Sequence, residues 1–224
     1  MTRVYACVIG SVLVLALMGS CDKGRLNAKN LQKKIDATLA ADGMIATTTC
    51  PKINKNSKVT CIAKTKDGTE ITIDVVTDAK RADYKVTNAH SGKKVADLLT
   101  RLYLTKSKVA LTAVTCPEAV IVGKEARCTA NAESIPLSIR VTTTGKNVNF
   151  VADPDLITTE SLTAGLRRKT KTKVTLDCGT RLRLAEPGKR FTCTASDPSG
   201  KKAVVHYKIV NTKGRVVDGL TPPP

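Results

Sequence analysis

Six cysteines lie in three short pairs along this chain, and this spacing limits the possible folds more than any other feature. Within a pair the cysteines are 11, 12 or 15 positions apart, and the pairs themselves are well separated. An even number of cysteines in an exported chain is typical of disulfides. Although six cysteines allow fifteen connectivities, the spacing favours local pairing. The expected disulfides are Cys50–Cys61, Cys116–Cys128 and Cys178–Cys193.

Zinc is the competing use of closely spaced cysteines. A structural zinc site takes tightly paired cysteines or a pair of histidines, and the chain has only two histidines, His90 and His206. We therefore expect no metal site.

The composition of the chain also favours disulfides, because the chain has no Trp and only 3% aromatic residues. Its core must then be built from small aliphatic side chains, and such cores are marginal without a covalent link.

The N-terminal sequence "MTRVYACVIGSVLVLALMGSC" has the pattern of an export signal. One basic residue, Arg3, precedes an uncharged apolar run that contains Cys7, and small residues follow. The small residues directly before Cys21 resemble the bacterial lipobox, although Met18 stands where Leu is usual. The resemblance implies a signal peptide at 1–20 and lipid attachment to Cys21. An uncleaved membrane anchor and simple secretion remain as alternatives, and each of the three exports the rest of the chain.

A helix candidate precedes each cysteine pair. Leu31, Ile35 and Leu39 recur every four residues before Gly43, which is a candidate helix stop. The second candidate has an amphipathic stripe, with Ser91 nearby as a possible N-cap. The third is rich in Thr. The apolar residues of the second and third candidates are Val95, Leu98, Leu99 and Leu102, and Leu162 and Leu166.

Strand patterns surround and follow each pair. In "TEITIDVVTD", Ile71, Ile73 and Val75 alternate with polar residues, and Asp67-Gly68 just before them is typical of a hairpin. The segments "SIPLSIRVTTT" and "KKAVVHYKIVNT" occupy the corresponding places, where Pro136 predicts a strand that begins late or lies at a sheet edge. A Gly or Asn five residues before each second cysteine fits a turn that requires positive φ. These residues are Asn56, Gly123 and Gly188.

The sequence therefore predicts an α+β fold of three tandem modules. Each would pack one helix on a small antiparallel sheet that carries a local disulfide, because a single helix can cover the one apolar face of such a sheet. The expected modules run over residues 22–90, 91–153 and 154–224.

The pattern V-x-C-P, a turn, G-x-x-F-x-C, a D-G turn and a Val/Thr-rich strand resembles the bacterial domain of unknown function 4333. The best match is "KVTLDCGTRLRLAEPGKRFTCTASDPSGKKAVVHYKIVNTKGRVV", which has Gly179 where the family has Pro. The middle copy keeps "VTCPEAVIVGKEARC" but has "NAESIPL" in place of the D-G turn. The resemblance implies small exported α+β domains, often on lipoproteins, and it implies no catalytic residue.

Motifs for enzymatic chemistry are missing from the sequence. It contains no G-x-S-x-G, no H-E-x-x-H and no glycine-rich phosphate loop. The predicted disulfides and lipidation leave no cysteine as a nucleophile, and His90 and His206 are isolated residues in a predicted turn and strand. We expect neither enzymatic activity nor a cofactor.

Positive charge is the remaining functional signal. With 37 Lys and Arg against 19 Asp and Glu, the chain has a formal net charge of +18, and the third predicted module carries the largest share. Such a surface attracts polyanions, although charge also serves solubility. Scarce aromatic residues disfavour single-stranded nucleic acid, and the expected export makes duplex DNA, which could be bound through its phosphates, a less favoured partner. The candidate polyanion site lies around "RRKTKTK" and the third cysteine hairpin: Arg167, Arg168, Lys169, Lys171, Lys173, Arg181, Arg183, Lys189 and Arg190.

The expected protein is a lipid-anchored component of the bacterial cell envelope. It would act as a non-enzymatic binding or scaffold protein, with anionic lipid, glycolipid or an acidic protein as partner. An inhibitor-like protein that occludes an acidic partner is the first alternative, and an enzyme whose site the sequence does not reveal is the second.

Overall fold

The computed structural model describes residues 27–78, 81–145 and 147–221 and shows an α+β fold. Three helices alternate with small antiparallel sheets over these residues. The N-terminal signal and Cys21 lie outside the described residues. Within the described part of the chain, no helix is both long and apolar enough to cross a membrane. The helices are α1 (Ala28–Ala41), α2 (Gly92–Ser107) and α3 (Thr159–Thr170).

The strands are short, and most lie between one helix and the next. Numbered in chain order they are β1 (Ala46–Thr49), β2 (Lys58–Thr65), β3 (Glu70–Thr77), β4 (Ala82–Val86), β5 (Ala89–Ser91), β6 (Leu111–Thr115), β7 (Ala119–Ile121), β8 (Glu125–Ala132), β9 (Ile135–Thr144), β10 (Asn147–Ala152), β11 (Leu156–Thr158), β12 (Thr175–Asp177), β13 (Leu182–Leu184), β14 (Arg190–Ser196), β15 (Lys202–Ile209) and β16 (Val216–Thr221).

The strands form three four-stranded sheets and two small ladders. The first sheet has the order β1-β2-β3-β4, the second β10-β9-β8-β6 and the third β12-β14-β15-β16. Two ladders of three-residue strands, β5 with β7 and β11 with β13, were not predicted from the sequence. The chain divides into two compact units. The first comprises the described residues up to Ala130 together with Arg140–Phe150, and the second comprises Asn131–Ile139 and the residues from Val151 onward.

All three predicted disulfides are present. Cys50 is bonded to Cys61, Cys116 to Cys128 and Cys178 to Cys193. In each pair the first cysteine directly follows a strand (β1, β6 or β12), and the second lies within a longer strand (β2, β8 or β14). Each bond therefore closes a strand–turn–strand segment.

The helices bury the faces that their periodicity predicts. In α1, Leu31, Ile35 and Leu39 are buried against the first sheet, and Asn27 caps the helix by accepting from Lys29 N. Ser91 caps α2, as predicted. The buried residues of α2 include Tyr103, which packs on Phe150 at 5.4 Å between ring centroids. Of the predicted stripe, Val95 and Leu99 are buried, and Leu98 and Leu102 are half-buried.

The turns before the second cysteines have the predicted conformation. Asn56, Gly123 and Gly188 have φ values of 53°, 79° and 86°. The hairpin at Asp67-Gly68 is also present, with Gly68 at φ 83°. The middle segment makes the corresponding turn from Glu133 and Ser134, at φ 48° and 73°. Positive φ at both central residues is the type I′ geometry, which normally takes Asn-Gly.

The prediction for Pro136 was wrong. Strand β9 begins at Ile135, one residue before the proline, and lies between β10 and β8 rather than at an edge. A proline is tolerated there because it stands at the very start of the strand, where a missing N–H costs the ladder little.

Each of the helices α2 and α3 begins against the segment that follows a disulfide cysteine. Gly92, the first residue of α2, donates its N–H to Glu118 O at 2.9 Å, and a Cβ on Gly92 would lie 1.8 Å from Pro117 O. The first residue of α3 is Thr159, which donates its N–H to Arg181 O at 2.9 Å. Helix α2 therefore begins with a glycine, and Pro117 follows the corresponding cysteine. Helix α3 begins with a threonine, and Gly179 follows the corresponding cysteine.

Each of the two units has its own core of aliphatic side chains. In the first unit, α1 packs on Ile71, Ile73 and Val75 of β3. In the second, Leu162 and Leu166 of α3 pack with residues of β14 and β15. Each of these sheets therefore has one covered face and one face open to solvent.

Candidate anion-binding surface

The C-terminal turn of α3 carries several of the predicted cations, and some of them have structural partners. Arg167 donates from Nε to Val174 O at 2.7 Å, and Lys169 Nζ lies 2.9 Å from Asp218 Oδ2. Cations at this end of a helix also complement the helix dipole. Part of the charge in "RRKTKTK" is thus explained by the stability of α3 itself.

Arg181 lies between two carboxylates. Its Nε donates to Glu160 Oε1 at 2.9 Å, and its Nη1 forms an ion pair with Glu133. The hydrogen bond with Glu160 raises the pKa of Arg181 above its ordinary value. The two acidic partners neutralise this cation, so Arg181 offers little attraction to an external anion.

Arg183 is held over an aromatic ring. Its guanidinium carbon lies 3.7 Å from the centroid of Phe191, and Phe191 stacks on Tyr207 at 5.2 Å. Nη2 of Arg183 donates to Cys178 O at 2.9 Å and to Thr180 Oγ1 at 2.8 Å. Burial lowers the pKa of this half-buried guanidinium. The contacts assign Arg183 to the packing of the cysteine hairpin.

The nine candidate cations therefore do not form one free surface. Lys189 also has an acidic partner, Glu186. Four members of the set are exposed and form neither an ion pair nor a side-chain hydrogen bond within the described part of the chain: Arg168, Lys171, Lys173 and Arg190.

Arg190 belongs to a second basic group that the sequence analysis missed. Helix α3 covers one face of the third sheet, and Arg190 lies on the other face, directly opposite Lys208 of β15. Two positions further along the strands, Thr192 lies opposite His206. We call the exposed side chains of this face the open basic face: Arg190, Thr192, Thr194, Lys202, His206, Lys208 and Val217.

The cross-strand pair Arg190–Lys208 is the unusual feature of this face. Like charges directly opposite each other in an antiparallel pair are destabilising. Neither Arg190 nor Lys208 forms an ion pair with any residue that the structure describes. On its other side, Lys208 lies opposite the exposed Val217 of β16.

The open face of the first sheet is arranged differently. Lys64 of β2 pairs with Glu70 of β3 at 3.7 Å across the hairpin. Asp74 of β3 lies opposite Lys85 of β4. Cations and carboxylates thus alternate there, whereas the third sheet presents Arg190 and Lys208 side by side.

A period-two pattern was the signal that could have identified this face. In "KKAVVHYKIV", Lys202, His206 and Lys208 alternate with buried residues. The pattern itself was visible in the sequence. The position of Arg190 opposite Lys208 depends on the hairpin register, which the sequence alone does not give.

The two histidines occupy different environments. His206 is exposed on the open basic face, whereas His90 lies half-buried on β5. Burial lowers the pKa of His90, and a hydrogen bond with the backbone of Gly145 opposes this effect. The residues that the structure describes contain no group of three His, Cys, Asp or Glu side chains able to hold a metal ion.

No family model, curated protein or solved structure matches the chain.

Proposed function

We propose that the chain consists of three tandem α+β modules similar to the bacterial domain of unknown function 4333, over residues 22–90, 91–153 and 154–224. Several observations support this. Each helix is followed by a strand, a disulfide cysteine, a positive-φ turn and a strand that carries the second cysteine. Two further antiparallel strands follow in each case. The local disulfides give each module its own covalent link.

The protein is exported and anchored to a membrane of the bacterial envelope by lipid on Cys21. The three disulfides support export, because disulfides persist in oxidising compartments. The anchor rests on the sequence "LMGSC". Replacing Cys21 with Ser should leave an unprocessed precursor that takes up no labelled fatty acid. Equal labelling of the wild type and the variant would contradict the anchor.

The proposed function is non-enzymatic binding of anionic envelope components. The observation that carries it is the pair Arg190–Lys208, two exposed cations held opposite each other with no acidic residue between them. A bound anion would offset their repulsion, since its negative charge would lie close to both. Solubility would be served equally well by cations placed apart, so it does not account for this pairing.

Salt dependence tests this function. The chain from Asp22 onward keeps every described helix, strand, disulfide and core residue and lacks the proposed anchor. It should be retained on immobilised polyphosphate and on anionic vesicles at low salt. Retention should fall steeply as salt rises, because the Debye length shrinks to about 8 Å at physiological ionic strength. A wild type that is retained on neither matrix at low salt would refute the function.

A further inference from the structure

Aliphatic side chains on the open basic face and at its edge are exposed to solvent. Val217, opposite Lys208, is 56% exposed, and Val210, two residues after Lys208, is 44% exposed. Val210 donates its backbone N–H to Arg215 O at 2.8 Å, so Arg215 lies at the same end of the hairpin. Cations and exposed valines are thus mixed on one face of the third sheet.

We infer that this face is a membrane-binding surface that lies against the headgroups of an anionic phospholipid bilayer. The inference rests on the proposed function, because it names the anionic component and the residues that contact it. Arg190, Lys208 and Arg215 would bind lipid phosphates, while Val210 and Val217 would enter the boundary between headgroups and acyl chains.

The exposed valines favour a bilayer over a soluble polyanion. A polyphosphate chain offers charge alone and would leave both valines in water or against its own polar atoms. A bilayer interface offers phosphates and hydrocarbon at nearly the same depth, so both kinds of side chain find partners. Lys and Arg fit such an interface well, since their aliphatic stems can be buried while the charged group stays at the phosphates.

The shape of the face is consistent with a planar partner. Side chains from neighbouring strands of an antiparallel sheet stand roughly perpendicular to it, about 5 Å apart across the pair. Arg190, Lys208 and Val217 occupy such neighbouring positions on β14, β15 and β16. They would therefore reach a flat surface together.

The cations should dominate the affinity. Each Lys or Arg close to an anionic bilayer strengthens binding about five-fold. The double variant Arg190→Gln/Lys208→Gln should therefore weaken binding to vesicles roughly 25-fold. Val217→Thr replaces one methyl group of the apolar contact with a hydroxyl and should weaken binding to vesicles about four-fold. All three residues are exposed, so these changes should leave the fold intact.

The first sheet supplies matched controls. Lys58 is the first residue of β2, as Arg190 is of β14, and Lys64 is exposed on the same strand. Lys58→Gln/Lys64→Gln makes the same change in net charge. Val76 lies opposite Lys58 and is 47% exposed, so Val76→Thr is the control for Val217→Thr.

Sedimentation with vesicles would measure binding of the chain from Asp22 onward. The vesicles would be phosphatidylcholine with or without phosphatidylglycerol, and immobilised polyphosphate would be the second probe. Support requires three results: binding only to vesicles that contain phosphatidylglycerol, a loss of about 25-fold for the cation pair against under five-fold for its control, and an effect of Val217→Thr on vesicles but not on polyphosphate.

Other outcomes separate this inference from the proposed function. Equal weakening by both double variants would overturn the assigned face but leave anion binding in place. Retention on polyphosphate without vesicle binding would overturn the lipid partner alone. Loss of vesicle binding in Val76→Thr as large as in Val217→Thr would also contradict the inference. Failure of the wild type on both probes would remove the inference and the function together.

Discussion

Glycine and asparagine in the turns before the second cysteines have a backbone conformation that most residues avoid. Gly188 has φ 86° and donates its N–H to Ile209 O at 2.8 Å, so the turn is held in place by the next strand. Asn56 adopts φ 53° in the corresponding turn. For an L-residue with a Cβ, the left-handed region costs about 1–2 kcal/mol in conformational free energy, and for Asn the cost is lower than for most residues.

Replacing Gly188 with Ala should therefore destabilise the protein by about 1 kcal/mol. A Cβ at this position meets nothing within 4 Å, so the cost would come from the backbone and not from a clash. Gly165 in α3 is the matched control, because a Cβ there also meets nothing within 4 Å and its φ is not left-handed. Gly165→Ala should stabilise the helix by up to about 1 kcal/mol. Denaturant unfolding of both variants checks this, and a shift in the same direction would contradict it.

Arg183 should matter for stability more than an exposed arginine does. Arg183→Met keeps much of the aliphatic contact but loses the cation–π contact with Phe191 and the hydrogen bonds to Cys178 and Thr180. We expect a cost of about 2 kcal/mol. Arg168→Met, at an exposed position in the last turn of α3, should cost less than about 1 kcal/mol. Thermal or denaturant unfolding gives both values, and equal costs would refute the structural role of Arg183.

At the scale of elements, the long regular segments were predictable and the shortest were not. Apolar periodicity and the cap at Ser91 locate the helices. Each strand of the ladders β5–β7 and β11–β13 has three residues, which are too few to show the alternation of apolar and polar residues that identifies a strand. The turn at Glu133 and Ser134 lacks the Asn or Gly that identifies a type I′ hairpin. Its ion pair with Arg181 is a tertiary contact that sequence reasoning does not find.

The ladder β5–β7 should make the first unit sensitive to acid. His90 lies on β5, and its pKa is lowered in the folded state, whereas the unfolded chain keeps a value of about 6.5. Below about pH 6.5 the unfolded state binds the proton more readily, so the free energy of unfolding should fall as the pH falls from 7 towards 5. His90→Gln should reduce this dependence. Measurement of the free energy of unfolding from pH 7 to pH 5 checks this, and an unchanged dependence in His90→Gln would contradict the assignment.

At the scale of the molecule, the described residues form two compact units with separate aliphatic cores, and we expect a change in one core to leave the other intact. Replacing Cys178 and Cys193 with Ala should cost the second unit about 3 kcal/mol, as expected for a loop of this length. The first unit keeps Cys50–Cys61 and its own core. Amide hydrogen exchange should then show faster exchange in β14 and β15, with protection in β2 and β3 unchanged. Equal loss of protection in all four strands would contradict independent units.

The candidate site was predicted less well than the fold. Positive charge in the third segment was evident from the sequence, but its grouping along the chain was a poor guide to its grouping in space. Arg181 and Arg183 are adjacent to the other cations in sequence and are held by intramolecular partners. Lys208 lies 18 residues beyond Arg190 in number and directly opposite it in the sheet. Register and ion pairing are three-dimensional properties, and here they decide which cations face solvent.

The first residues of α2 and α3 have a consequence for how the segments can diverge or be exchanged. A Cβ on Gly92 would lie 1.8 Å from the backbone carbonyl oxygen of Pro117, whereas α3 begins with Thr159, which already carries a Cβ. A chimera that joins the start of α3 to the loop after Cys116 would therefore place the Cβ of a threonine against this carbonyl oxygen. The reciprocal chimera would begin the helix with a glycine, which has no Cβ, and would introduce no such contact. Segments with the same architecture are thus exchangeable in one direction only.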